Sequence, residues 1–199
     1  MDIKRNKKKY SEKMFNELVL IYLISNTGYF FEYEAEFLLK ISKRSIQRYV
    51  SEINETRVIG KHSKGLETVN ENGYKSYHVH RDFFVRDEDP IEAANNPQSI
   101  ILPIGFMQRH PAGLDSPDQH IVRLTRCALL LHRAKNAMRR DLRNTRIADE
   151  RSAEIHFSEE SILTCYDYYF NEMKFNVSFK TFKRDLALVS DVIEFMNNK

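Results

Sequence analysis

Apolar positions along this chain recur at helical spacing in several separate stretches and alternate like a strand pair in only one. From about Ser11 to Ser25, Met14, Phe15, Leu18, Val19, Tyr22 and Leu23 describe a helix with a wide apolar face, and Asn26-Thr27-Gly28 breaks it. Residues 29–40 are densely aromatic, and their later part, about 32–39, reads as a second, short helix. Its rings, among them Tyr29, Tyr33 and Phe37, are expected in a core and not on an open surface where bases could stack. Ser42 is then a good N-cap, because its hydroxyl can accept from an unpaired N–H of the first turn. Behind it Ile46, Val50 and Ile53, at i, i+4 and i+7, put one apolar stripe on a helix over 42–54. Leu66–Asn70 and Tyr74–His80 flank Asn72-Gly73, the turn pair that supplies positive φ at both central positions of a hairpin.

The second half has a different texture. All five prolines fall between Asp87 and Gln119, which reads as a linker, although Ile100–Met107 is too apolar to stay in water and should dock. From His120 to about Arg146, Ile121, Leu124, Ala128, Leu131, Met138 and Leu142 recur every three or four residues, interrupted by Lys135. That is either a core-facing stripe or a coiled-coil seam. The remaining surface of this helix is expected to carry Arg123, Arg126, Arg133, Lys135, Arg139, Arg140, Arg143 and Arg146 against Asp141 alone. Such a ridge is either a solvated face or a contact for phosphate or an acidic partner. Asp149, Glu150, Glu154, Glu159 and Glu160 follow as its plausible counterpart, and Ser158 caps a helix through about Asn171.

Composition narrows the class. The chain has 199 residues, 42% of them hydrophobic and 12% aromatic, enough for one good core or two small ones and too many rings for wholesale disorder. A net charge of +3 says little; its distribution says more. Lys4, Arg5, Lys7, Lys8, Lys9 and Lys13 crowd the N-terminus, which is either a frayed tail or a basic arm for phosphates or the minor groove. Cys127 and Cys165 sit far apart in helical patterns and read as buried thiols of a reducing compartment. The charged N-terminus lacks a secretory leader pattern, and no stretch approaches the roughly 20 apolar residues of a membrane span.

The chemistry lies on the helix after Ser42. Its outward face carries Lys43, Arg44, Ser45, Gln47, Arg48 and Ser51, side chains that reach phosphates and base edges. Ser42-Lys43-Arg44-Ser45-Ile46-Gln47-Arg48-Tyr49-Val50, with a hydrophobic helix upstream and a hairpin downstream, resembles the winged helix-turn-helix of DeoR-type bacterial regulators and of the N-terminal domain of WYL-domain regulators. The usual pattern is Ser-x-Arg-Thr-Ile-x-Arg-Asp-Ile-x-x-Leu. This chain keeps the Ser, both Arg and the Ile, with Ser45 for Thr and Tyr49 for Asp. The resemblance covers about residues 12–82 and implies a major-groove recognition helix with a wing bearing Lys61, His62, Lys64 and Lys75. Nothing after residue 90 resembles a sugar-phosphate sensor or a WYL domain, so no effector follows. The expected organisation is a basic tail (1–11), a winged helix-turn-helix domain (12–86), a partly docked linker (87–119) and a helical domain (120–199), mainly α with a small hairpin.

The last helix repeats the signature at an offset of 136: Val177 lies over Ile41, Ser178 over Ser42, Lys180 over Arg44, Thr181 over Ser45, Phe182 over Ile46, Arg184 over Arg48, Leu186 over Val50 and Val189 over Ile53. Thr181 and Asp185 restore the family residues absent from the first copy. Lys180, Thr181, Lys183 and Arg184 are therefore candidates for a second DNA contact, although Phe179 is a large apolar group where a DNA-facing residue belongs. A dimerisation or scaffolding domain fits this second copy as well.

The expected function is sequence-specific binding of double-stranded DNA by a dimeric transcriptional regulator, most simply a repressor. It would be cytoplasmic and nucleoid-associated, encoded by a bacterium, phage or plasmid. Replication initiation or partition, or a scaffold that no longer meets DNA, are the alternatives. No enzyme is expected, for there is no phosphate-binding Gly loop, metal cluster at ligand spacing or recognisable nucleophile. His78 and His80 share a strand face but lack further ligands and read as wing histidines, so neither metal nor cofactor is expected.

Overall fold

Gly28 marks the first place where a local signal becomes architecture. In the computed structural model, which describes residues 11–58, 65–79, 112–146 and 158–199 (side chains of 138–146 excepted), helix α1 (Glu12–Thr27) ends at this glycine. Its φ of 76° suits a residue without Cβ. The Gly28 N–H donates to the Ile24 carbonyl at 2.8 Å, and its carbonyl accepts from Val79 N–H at 2.9 Å. The helix thus passes directly into strand β1 (Tyr29–Phe31), which the aromatic run had concealed.

Helix α2 (Glu32–Leu39) follows at once. Phe31, extended at φ −85° and ψ 141°, donates its N–H to the Glu34 carboxylate at 3.4 Å, which holds the helix entry. Lys40 adopts φ 55°, a left-handed cap that turns the chain within two residues to α3 (Lys43–Thr56). Ser42 caps α3 as expected, accepting from Ser45 N–H at 3.3 Å, and Ile46, Val50 and Ile53 are buried.

Strands β2 (Leu66–Glu71) and β3 (Tyr74–Val79) form the expected hairpin, with Asn72 at φ 52° and Gly73 at φ 81°. β1 pairs antiparallel with β3, so the three-stranded sheet has the order β1-β3-β2. Asn54 of α3 accepts the Leu66 N–H at 2.8 Å and sets where β2 begins. The apolar run 100–107 and most of the proline-containing segment lie outside the described residues. Its last part does pack: in the short 3-10 turn Ala112–Asp115, a Cβ on Gly113 would come within 2.6 Å of the Thr56 carbonyl, so only glycine lets the backbones approach.

The other elements are helical: α4 (Gln119–Arg146), α5 (Glu159–Asp167) continued by a wide turn over Tyr168–Glu172, and α6 (Phe179–Asn197). The described chain is therefore mainly helical with one small antiparallel sheet. Backbone packing divides it into Val19–Thr125 and the remainder, so that α1 and α4 contribute a segment to each unit.

Two expectations for α4 are corrected. Cys127, Ala128, Leu129, Leu130 and Leu131 are all buried. Ile121, Leu124, Ala128 and Leu131 of the expected stripe are buried too, but five consecutive positions exceed one turn, so over 127–131 the burial is wider than a one-sided stripe or a coiled-coil seam. Its arginine ridge is also interrupted. Arg126 is 8% exposed and Asp185 of α6 is 0% exposed, and their Nε and Oδ2 lie 2.8 Å apart. The Tyr169 hydroxyl donates to the same oxygen at 2.8 Å, and burial first, then that carboxylate, holds its phenol well above the ordinary range. Lys135 is buried, and Arg133 pairs with Glu172 at 3.0 Å. Arg139, Arg140, Arg143 and Arg146 have side chains outside the described set. A cation enters a core when a distant acid meets it there.

Removing one partner of that pair strands the other without water. Arg126→Met is expected to cost about 3–5 kcal/mol, and Arg126→Met with Asp185→Asn less than the two changes summed; urea unfolding of the three variants measures it. Cys165 is fully buried, and that burial pushes its thiol up to about 12. Because only the thiolate reacts, alkylation of Cys165 in the folded chain at mildly alkaline pH is expected to be about a thousandfold slower than that of a free thiol, and mass spectrometry of trapped adducts follows it.

Candidate nucleic-acid interface

Helix α3 separates its residues cleanly. Ile46, Tyr49, Val50, Ile53 and Thr56 are buried, whereas Lys43, Arg44, Gln47, Arg48 and Ser51 are exposed. Ser45 is half-buried and its hydroxyl lies 3.1 Å from that of Ser42, so it serves the cap before any ligand. Arg48 lies over the Tyr49 ring, 5.3 Å from its centroid, which stiffens its stem without neutralising it. The cations gather in the N-terminal half of the helix, where unpaired N–H groups also favour anions, and exposed Glu55 closes the C-terminal end. Lys40 and Arg57, exposed at the left-handed caps before and after the helix, extend this positive surface. Sequence patterning passed them over because they fall outside the helical repeat.

Gln47 does not hang free. Its amide donates at 3.1 Å to Glu32 Oε1 on α2, and the same oxygen accepts the Tyr77 hydroxyl at 3.0 Å and attracts Lys75 Nζ at 3.5 Å. One buried carboxylate thereby ties α2, α3 and β3 together and fixes the direction of Gln47. Burial, followed by the bond to Glu32, raises the Tyr77 phenol far above its ordinary value and keeps it a donor. Lys75 is consequently turned toward the sheet, with its ammonium 5.2 Å from the Tyr77 ring centroid, and does not project from the hairpin as the wing reading expects. Lys61, His62, Lys64 and His80 lie outside the described residues. His78 has its ring nitrogen 2.8 Å from Ser76 Oγ and stacks on Tyr29 at 5.2 Å.

The expectation that the aromatic run 29–40 is core fails for three of its five rings. Phe30, Ala35 and Leu39 are buried, but Tyr29 and Tyr33 are exposed and Phe37 is 88% exposed. On α2 the spacing of Ala35 and Leu39 turns Tyr33 and Phe37 outward. Tyr29, Phe31, Tyr33 and Tyr74 form a chain of ring contacts, with centroids 5.4–5.7 Å apart, on the outer side of the sheet.

The second copy reproduces the first in geometry. Ser178 accepts from Thr181 N–H at 3.2 Å with the two hydroxyls 3.0 Å apart, and its backbone (φ −70°, ψ 154°) matches Ser42 (φ −75°, ψ 153°). From Val177 to Asp185, burial follows Ile41 to Tyr49 position by position. Lys180, Lys183 and Arg184 are exposed and Thr181 is half-buried. The face differs at its entrance, where Phe179, 51% exposed, takes the place of Lys43 and Lys183 lies over its ring at 4.7 Å.

Comparison of the chain with protein-family models, with curated proteins and with solved structures gives no significant match. No helix of the described residues is long and apolar enough to cross a membrane.

Glu32 can be tested directly. Glu32→Ala leaves the Tyr77 hydroxyl and the Lys75 ammonium without their shared acceptor and is expected to destabilise the fold by about 2–3 kcal/mol, read as a lower denaturant midpoint at unchanged slope.

Proposed function

We propose that α3 reads double-stranded DNA, that residues 12–86 form a winged helix-turn-helix, and that the protein is a sequence-specific transcriptional regulator, most simply a repressor. The observation that carries this reading is the division of α3: a buried stripe on one side, and Lys43, Arg44, Gln47 and Arg48 exposed together on the other. A tight left-handed turn before it and a hairpin after it support the same reading, as does the element order α1-β1-α2-α3-β2-β3.

In this mechanism Lys40, Lys43 and the α3 N-terminus hold phosphates and set register, while Arg44 and Arg48 offer forked donors to guanine. Gln47, fixed by Glu32 through its amide nitrogen, presents its remaining polar capacity in one direction instead of sampling several. One such domain makes few contacts, so a dimer on two half-sites follows. A nucleoid-associated, cytoplasmic protein fits this role. Replication initiation or partition is the second reading, favoured by the duplicated capped helix; promoter-proximal rather than iteron-like occupancy would decide for regulation.

Selection of bound sequences from random DNA, at two salt concentrations, is expected to yield a discrete motif whose affinity falls steeply with salt. Arg44→Ala and Arg48→Ala should each weaken that site by about 1–3 kcal/mol and relax one base position. Lys43→Ala should weaken all sequences alike. Unchanged gel-shift affinity in a folded Arg44→Ala, Arg48→Ala double variant would falsify the assignment.

A further inference from the structure

The duplicated helix keeps its cap, its burial pattern and two of the three cations, with Lys183 in place of Gln47, yet its entrance has become apolar. Ile162, Leu163 and Tyr166 of α5 and Phe179 of α6 are all exposed, Leu163 by 67%. They are continuous: Leu163 and Tyr166 stand one turn apart on α5, and the Tyr166 ring lies 6.0 Å from that of Phe179 and 5.7 Å from buried Phe182. Large side chains left in water side by side mark an interaction surface. A DNA backbone is a poor occupant, because phosphate oxygens gain nothing from leucine and phenylalanine at the position where the first copy offers Lys43.

The charges around this strip identify the occupant. On the α5 side, Glu159 and Glu160 are exposed; on the α6 side, Lys180 and Lys183 are exposed. An apolar strip with acids along one edge and bases along the other is complementary to itself under a two-fold rotation, which sets the α5 edge of one copy on the α6 edge of the next. We propose that the strip Ile162, Leu163, Tyr166 and Phe179 is the self-association surface of this protein, bound by a second copy of the same chain. The second copy of the signature thus joins two protomers and leaves DNA to the first. The purpose of the dimer rests on the DNA-reading proposal, but its formation does not.

Sedimentation equilibrium of the full chain, without DNA, is expected to give twice the chain mass of 23.6 kDa. Leu163→Glu with Phe179→Glu should weaken association roughly tenfold or more at unchanged far-ultraviolet circular dichroism, since both side chains point outward. Charge exchange adds a test that misfolding cannot mimic. Glu159→Lys with Glu160→Lys makes both edges basic, Lys180→Glu with Lys183→Glu makes both acidic, and each variant alone should associate less. Mixed in equal amounts, the two should recover a dimer. A wild-type monomer at the highest workable concentration overturns the proposal, and so does a dimer indifferent to all of these substitutions. A monomer whose DNA retention falls with Lys180→Glu and Lys183→Glu would make the face a second DNA reader instead. Loss of DNA binding with dimerisation intact would strike only the DNA-reading proposal.

Discussion

A carboxylate taken out of water and repaid by a tyrosine hydroxyl and a cation lies at the centre of each unit. In one it is Glu32, which joins Tyr77, Lys75 and Gln47; in the other it is Asp185, which joins Tyr169 and Arg126. Burying an ion is costly, and such a group persists when its neighbours satisfy it from fixed directions. Each carboxylate therefore specifies which helices meet and at what rotation. An apolar contact of the same area would tolerate slippage.

The consequence for α3 is directional. Its inner stripe is held by ordinary packing, but the rotation that leaves Lys43, Arg44 and Arg48 outward is also pinned by the Gln47–Glu32 bond. A helix that slips by a residue would carry its polar face about 100° around its axis. The same network withdraws Lys75 from the hairpin surface, which shifts the positive field toward the helix and its two caps.

The two copies of the capped helix show how one local design is held in different surroundings. Ser42 and Ser178 fold their first turns alike because a hydroxyl at the N-cap acts on the nearest N–H groups and on nothing distant. At the second buried position they diverge: Tyr49 is buried in the first, and Asp185, also buried, needs Arg126 in the second. At the entrance they diverge again, Lys43 against Phe179. The buried change alters what holds the helix, and the exposed change alters what it can meet.

What the sequence determined by itself is whatever a few neighbouring residues decide. The caps at Ser42, Ser158 and Ser178, the break at Gly28 and the Asn72-Gly73 hairpin were legible because each acts within about one turn of chain. So were the inner stripe of α3 and the exposure of Lys43, Arg44 and Arg48, since helical periodicity settles sidedness once one face is apolar. The tertiary structure decided the rest. Strand β1 exists because β3, far along the chain, offers its edge to Tyr29–Phe31; the aromatic run has no strand alternation of its own. Arg126 read as surface because its acid lies 59 residues away, and Lys75 read as wing charge because Glu32 is on another element. Tyr33 and Phe37 read as core because hydrophobicity alone does not say which side of a short helix is covered. Charge and aromatic side chains are placed by partners, and partners distant in sequence are found only when the chain has folded.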